Sequence, residues 1–373
     1  METKPVGIYI HIPFCKRKCN YCDFCSEAAD EAKIERYTDT LCEEITAYKD
    51  GKSISVDTVF FGGGTPSVLS PRLFGKIISS LRKSFDILPG AEITAEVNPG
   101  TVTEEKARAF FECGVNRISI GVQSIHENEL KKLGRIHNFD EFLDTYNLFK
   151  MVGIENLSVD LMYGIPEQTL FSFEKTLEEI IALSPNHISC YGLIIEEGTP
   201  FFEKRDELDL PSEDEEYAMY SLAHKMLSEH GYRHYEISNY AKQGFYSRHN
   251  LKYWHNEEYI GFGISAHSYF LGKRFYNTSD FDEYFSLDSA KYRKEEREEV
   301  GTDPFEYAML ALRLEDGFML DEYEKLFGKS FINGNEEKIK SFAERGLLKV
   351  NNGRISLTHE GFYLSNLILS ELL

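Results

Sequence analysis

Long apolar runs are missing from this 373-residue chain. No stretch approaches the roughly 18 consecutive apolar residues of a membrane-spanning helix, so no segment is expected to cross a bilayer. The opening residues also lack the charged region, apolar stretch and small-residue cleavage site of a secretory leader, and a cytoplasmic protein is the expectation. Positive charge is scarce: 41 basic against 62 acidic side chains leave a formal net charge of -21. Such a balance opposes delocalised attraction to nucleic acid or anionic lipid, although it says nothing about one local basic pocket. Repeats and low-complexity tracts are absent too, which excludes solenoid architectures. What is there, 42% hydrophobic and 28% charged residues with 27 Gly and 11 Pro, is the composition of an ordinary folded protein. Its length allows one large domain with additions, or two to three domains.

Cysteine is sparse but concentrated. Of seven, Cys15, Cys19, Cys22 and Cys25 fall close together, while Cys42, Cys113 and Cys190 stand alone. A secreted disulfide scaffold spreads its bridges through a small chain, so the grouping reads as a reduced, metal-binding cluster. The isolated cysteines read as small core side chains. Cys15-Lys-Arg-Lys-Cys19-Asn-Tyr-Cys22 can wrap a soft metal centre from one short loop, and thiolates suit an iron–sulfur cluster or zinc. Four-cysteine zinc sites usually separate two close ligand pairs, unlike this C-x3-C-x2-C spacing. Cys25 could still complete four ligands, so spacing leaves zinc and a fully ligated cluster open.

The first two hundred residues alternate β-rich runs with helical patterns. Strands are expected at Val6–His11, Val56–Phe61, Ala91–Val97, Arg117–Gly121, Asn156–Leu161 and His187–Gly192. Ser124-Ile125-His126-Glu127, Asn138-Phe139-Asp140-Glu141 and Ser212-Glu213-Asp214-Glu215 read as helix N-terminal capping sequences. Gly114, Gly134 and Gly153 read as helix ends. Repeated strand–helix units with right-handed crossovers imply a parallel sheet, either a curved, partly closed barrel or a doubly wound sheet, with chemistry at the C-terminal strand ends. Tyr235–Tyr276, aromatic and glycine-rich, is expected as a second layer around the site. Leu347–Leu357 is expected as a hairpin in a winged-helix-like appendage.

Polar residues gather at those strand ends. Gly62-Gly63-Gly64-Thr65-Pro66 follows the second strand, where absent side chains would let backbone amides approach a ligand. The segment has neither the dinucleotide fingerprint nor a P-loop lysine. Glu96 ends the third strand, Gln123 follows the fourth, Arg135 follows the next helix and Asp160 lies in the fifth. Successive strand ends can bring such groups onto one amphipathic ligand.

The cysteine loop, with Tyr21 before its third cysteine, resembles the CxxxCxΦC loop of the radical S-adenosylmethionine family. That resemblance implies a [4Fe–4S] cluster on Cys15, Cys19 and Cys22, its fourth iron binding S-adenosylmethionine, and reductive cleavage to methionine and a 5'-deoxyadenosyl radical. It also implies a partial (β/α)6 TIM-like barrel over residues 1–205, a mixed α/β extension covering the site over 206–300 and a small helical, winged-helix-like domain over 301–373. By position, Tyr9, Tyr21, Gly63, Gly64, Thr65 and Glu96 become candidates for S-adenosylmethionine.

Tyr9-Ile-His11-Ile-Pro13-Phe14-Cys15, Asn98-Pro99, Gly121–Ser124, Asp160–Pro166 and Tyr235–Asn239 narrow the resemblance. They are similar to the branch that contains the oxygen-independent coproporphyrinogen III oxidases and the haem chaperones. Gln123, Arg135 and Asp160 match oxidase positions that help to bind a second S-adenosylmethionine. Two departures point away from the oxidases: Phe24 stands where they have a fourth cysteine, and only a short segment precedes Cys15. His249-Asn250-Leu251-Lys252-Tyr253-Trp254 resembles the haem chaperones specifically. The resemblance therefore implies haem as cargo, with His249 as candidate iron ligand and Tyr253 and Trp254 packing on the macrocycle. It implies haem-accepting respiratory proteins and an electron donor for the cluster as partners, and transient membrane contact without a spanning segment. Oxidative decarboxylation of coproporphyrinogen III and a zinc-binding interaction protein are the alternatives.

Overall fold

Apolar strands separated by amphipathic helices build the core. In the computed structural model, which describes residues 4–48, 51–288, 292–297 and 303–373, six strands appear where the alternation predicts them. They are β1 (Val6–Ile12), β2 (Ser55–Gly63), β3 (Asp86–Val97), β4 (Arg117–Gln123), β5 (Asn156–Tyr163) and β6 (His187–Gly192). Each lies parallel to its predecessor, and their order in space is their order in the chain. A doubly wound sheet needs a reversal of strand order. None occurs across β1–β6, so right-handed crossovers place the connecting helices on one face and leave the other as the concave interior of a partial barrel. The family's α/β radical SAM fold is the one observed.

Capping chemistry fixes most helix limits. Asn138 with Glu141, and Ser212 with Glu215, close capping boxes at the helices Phe139–Val152 and Glu213–Glu229. Gly134 and Gly153 end helices in the left-handed conformation. Ser124 differs from its expected role. Gln123, with φ of 66, is still turning the chain out of β4, so the helix Glu127–Leu133 begins behind His126. Ser124 Oγ accepts from the His126 amide at 3.0 Å and donates to Glu129 at 2.6 Å.

The region after residue 206 extends the sheet at both edges. β7 (Arg233–Glu236) and β8 (Asn239–Ala241) add antiparallel strands beside β6, while β9 (Tyr259–Phe262) runs parallel to β1. β10 (His267–Phe270), β11 (Lys273–Asn277) and β12 (Arg293–Arg297) continue outward, giving a 12-stranded sheet. Much of the aromatic segment expected as a second layer is therefore sheet edge. Its strands of three to five residues are too short for a period-2 pattern to register. The last region runs helix Pro304–Ala311, strand Phe318–Met319, helices Leu320–Phe327 and Glu336–Glu344, and the hairpin Leu348–Asn351 with Arg354–Leu357. That is the element order of a winged helix, and its buried side chains join the barrel's apolar core. Among the described residues no helix is long and apolar enough to cross a membrane.

Candidate functional site

The cysteine loop leaves β1 at the C-terminal end of the strands and is held at both sides. Cys15 N–H donates to Glu27 O and Glu27 N–H to Pro13 O, both at 2.9 Å, closing the loop at its base. Asn20 clasps the end of the helix Glu127–Leu133 through its amide to Leu133 O and its Nδ2 to Lys132 O. Buried His11 supports the loop from below: Nε2 lies 2.8 Å from Cys25 O and Nδ1 3.0 Å from Tyr9 OH. Cys15, Cys19 and Cys22 all face one cleft of about 420 Å³, which Cys25 does not line. Cys25 borders a separate cavity of about 770 Å³ together with Phe24 and Tyr9.

The same cleft collects Tyr21, Gly63, Gly64, Thr65, Glu96, Gln123, Arg135 and Asp160. Of the family-derived S-adenosylmethionine candidates only Tyr9 is elsewhere, its hydroxyl engaged by His11. The glycine loop works differently from its expected use. Gly64 and Thr65 amides donate to Ile12 O and Phe14 O at 2.8 Å, and the Gly63 amide bonds the Glu96 carboxylate. A Cβ at Gly64 would stand 2.7 Å from Phe14 O. Glycine is thus required for the approach of two backbone segments, and the amides are already engaged. Thr65 Oγ1 links the loops: it accepts from Asn98 Nδ2 at 2.7 Å and donates to Cys15 Sγ at 3.3 Å.

Charge in the cleft is half-buried and unevenly matched. Arg135 donates through Nη1 to Cys19 Sγ at 3.6 Å and through Nη2 to Gly121 O, while its Nε has no hydrogen-bond partner. A Cβ at Gly121 would lie 2.5 Å from Nη2, so only glycine lets the guanidinium rest there. Burial, reinforced by Asp160, pushes Glu96 up to about 8. Burial also raises Asp160, although Ser119 donates to it at 2.9 Å. Gln123 accepts from Tyr191 OH at 3.0 Å and holds left-handed backbone in β4, where the ladder with β5 shifts register. A non-glycine residue in that conformation is uncommon and recurs at functional sites.

The His249–Trp254 segment does not join this cleft. Thr58 pairs with Gly7 near the start of β1, at the opposite strand ends, and there His249 is buried. Its Nδ1 lies 2.8 Å from Thr58 Oγ1 and its Nε2 2.9 Å from Tyr253 OH, so both nitrogens are engaged. Burial and nearby Lys252 lower its pKa to about 3, leaving a neutral imidazole. Haem iron could take His249 only by displacing one of these bonds. Tyr253 and Trp254 border different cavities, the former the one beside the cysteine loop and the latter one of about 560 Å³ against the C-terminal region.

These residues fit the groups that the resemblance implies. Burial pushes the Cys15 and Cys22 thiols up, so a metal must displace their protons. Three thiols from one loop, with the fourth turned to another cavity, match a cluster that keeps one iron free of cysteine. Arg135, a half-buried cation without a salt bridge to a carboxylate among the described residues, suits an anionic cluster or a ligand carboxylate. Ser119 and Tyr191 were not singled out from sequence, and Asn98 only as part of the Asn98-Pro99 motif, without a site role. A usable signal existed: Arg117, Ser119 and Gly121 alternate along β4, and Ser158 and Asp160 along β5, on strands otherwise apolar.

The radical SAM superfamily profile matches residues 9–180, and the HemN C-terminal domain profile residues 302–364. The chain is 36% identical to the heme chaperone HemW of Lactococcus lactis over 100% of its own length and 98% of that protein. It is likewise 36% identical to the Bacillus subtilis HemW, over 96% of each chain, and 38% identical to that of Escherichia coli, over 84% of each. The solved coproporphyrinogen III oxidase HemN of Escherichia coli superposes with a TM-score of 0.85 over 99% of this chain and 90% of that one, at 22% identity. At that identity the superposition establishes the shared fold.

Proposed function

The chain belongs to the HemW branch of the radical SAM superfamily, and from that membership we propose that it is a haem chaperone, binding haem and passing it to haem-dependent proteins. The observation that carries the proposal is the three-thiol cleft at the strand ends of a chain that matches the HemW proteins from end to end. Cys15, Cys19 and Cys22 hold a [4Fe–4S] cluster. Thr65 and Arg135 donate hydrogen bonds to its Cys15 and Cys19 sulfurs. Tyr21, Gly63, Gly64, Glu96, Gln123 and Asp160, with Arg135, seat S-adenosylmethionine. When bound, the two supply one-electron chemistry and an iron open to ligand exchange.

The haem seat that we favour is the cavity of about 770 Å³ walled by Tyr253, Tyr9 and Phe24. It borders the cysteine loop, Tyr9, Phe24, Tyr253 and Tyr259 give it aromatic faces among polar neighbours, and exposed His267 lines it. His249 then shapes this cavity by fixing the Tyr253 hydroxyl. Acceptors are respiratory haem proteins met through specific protein contact, because the acidic chain gives little electrostatic hold on a membrane. An external electron donor serves the cluster. Phe24, 60% exposed at the cavity, stands where the oxidases carry a further cysteine and favours a chaperone over a decarboxylase.

An anaerobic assay separates the readings. The reconstituted protein receives reductant, S-adenosylmethionine and either haem or coproporphyrinogen III, and mass spectrometry follows porphyrin products and 5'-deoxyadenosine. Stable haem binding with transfer to an apo b-type haem protein is expected. Decarboxylated porphyrin with release of carbon dioxide would overturn the chaperone assignment, and a colourless protein that takes up only zinc would overturn the cluster.

A further inference from the structure

We propose that His224, His234 and His359 bind one divalent transition-metal ion of the zinc class, at a site that shares no residue with the cysteine cleft and fastens the C-terminal region to the edge of the barrel sheet. His224 belongs to the helix Glu213–Glu229, His234 to β7, and His359 opens the helix His359–Tyr363. One ligand-capable atom from each lies within 4.8 Å of the other two. Aromatic neighbours hold the rings: Tyr220 stacks on His359 at 4.4 Å between centroids, His224 on His359 at 3.7 Å, and His234 on Tyr240 at 4.1 Å.

Packing alone leaves the polar atoms of this trio unexplained. His359 Nδ1 and Nε2 and His224 Nδ1 are buried without any hydrogen-bond partner. A neutral imidazole carries one N–H donor and one lone pair, and leaving both unmatched away from water is unfavourable. His234 completes the picture from the other direction. Its Nε2 reaches Ile237 O at 3.2 Å, and donation there leaves the lone pair on Nδ1. A ring N–H given to a backbone carbonyl is how metal-binding histidines are commonly oriented.

Imidazole ligands without thiolate suit zinc, nickel or copper(II). Two nitrogens on a tetrahedral ion with bonds of about 2.0–2.1 Å stand about 3.3 Å apart, so the trio must draw together and the stacked pair must turn edge-on. Rotation about the soft side-chain torsions accomplishes this without moving the backbone. Water or the Glu360 carboxylate is available for the fourth position. Because the ligands come from the helix Glu213–Glu229, a sheet edge and the short helix His359–Tyr363, an ion here joins elements far apart in sequence and favours the docked arrangement.

Tag-free, full-length protein carrying its cluster is titrated anaerobically with zinc chloride, and metal is counted against iron by mass spectrometry after gel filtration. The same titration is run on a variant with serine at Cys15, Cys19 and Cys22. One zinc per chain is expected in both, with a Tm that rises with zinc. Cobalt(II) should give a visible spectrum without the charge-transfer band of thiolate ligation. His224→Ala and His359→Gln should each weaken binding by at least about 100-fold, since even second-shell losses cost 10–100-fold. Should one of them fail to fold, the other reports alone. Zinc uptake that vanishes with the three cysteines, survives both histidine changes, or is absent altogether overturns the site.

Discussion

The two ends of the barrel carry the same kinds of polar residue in different surroundings. At the N-terminal strand ends two buried imidazoles are matched, His249 by Thr58 and Tyr253, and His187 by Ser158 at 2.7 Å and Tyr235 at 2.9 Å, whereas Thr94 Oγ1, Arg117 Nε and Asn156 Oδ1 there lack hydrogen-bond partners. Lys252 there bonds Asp57, Glu257 and Pro5 O. At the C-terminal ends Arg135 keeps an orphan Nε, Glu96 is held near pH 8, and Gln123 sits in a strained conformation. Orphan polar atoms therefore occur at both ends, and what sets the C-terminal end apart is that its unmatched groups line the cleft with the three cysteines, where a ligand can complete them. Burial and residue type alone would not have distinguished the two ends.

The largest effect expected from breaking this contrast is at the cysteines. Serine at Cys15, Cys19 or Cys22 should abolish the brown colour and nearly all cluster iron after reconstitution. Cys25→Ser, facing the other cavity, should retain both. Iron content and visible absorption decide it, and equal loss at Cys25 would mean that four thiols share the cluster.

Next comes His249→Ala at the opposite end. It opens a cavity and strips partners from Thr58 and Tyr253, so stability should fall by about 3 kcal/mol, measured by chemical denaturation of the haem-free protein. Haem stoichiometry, read on the folded fraction, should persist. Loss of the haem Soret band with unchanged stability would instead make His249 the ligand.

The contrast also explains what the sequence made legible. The six barrel strands and the cysteine loop could be read because each has a strong local signal, a run of β-formers or a fixed spacing of one residue type. His249 could not be placed, because its environment is made by Thr58 and Phe60 of β2, far away in sequence. The engagement of the Gly64 and Thr65 amides was out of reach for a related reason: their partners, Ile12 O and Phe14 O, are backbone atoms that no sequence pattern displays. Gln123 gave no hint of its positive φ, since glutamine has no preference for that region.

A pH titration probes the cleft end with an intermediate effect. The native, cofactor-free protein holds the Glu96 proton up to about 8, while an unfolded chain releases it near 4.5. At this group the native state therefore binds more protons between those values, so the Glu96 contribution to stability should fall as pH rises from about 4.5 to about 8, by at most about 1.4 kcal/mol per unit, and level off above. Glu236, also raised to about 8 by burial, contributes with the same sign, and buried imidazoles such as His249, lowered to about 3, contribute with the opposite sign below about 6.5. The Glu96 part is therefore read as a difference: Glu96→Gln should make the slope of stability against pH more positive than in the parent protein, and an unchanged slope would show that Glu96 ionises normally.

The smallest expected effect compares two threonine hydroxyls, Thr58 in β2 and Thr65 just beyond it. Thr58 Oγ1 meets His249 Nδ1 at 2.8 Å, and Thr65 Oγ1 meets Cys15 Sγ at 3.3 Å while accepting from Asn98 Nδ2 at 2.7 Å. Replacing the hydroxyl by a methyl in Thr→Val removes one hydrogen bond at Thr58 and two at Thr65, each worth about 0.5–1.5 kcal/mol net. The consequence should differ by address. A hydrogen bond to a cluster sulfur stabilises the more negative, reduced state, so Thr65→Val should lower the cluster's reduction potential by roughly 20–60 mV for a one-electron couple. Thr58→Val should cost less stability and leave the potential where it was. Potentiometric titration followed by electron paramagnetic resonance reads the shift, and an equal shift in both variants would mean that the two ends of the barrel are not electrostatically distinct.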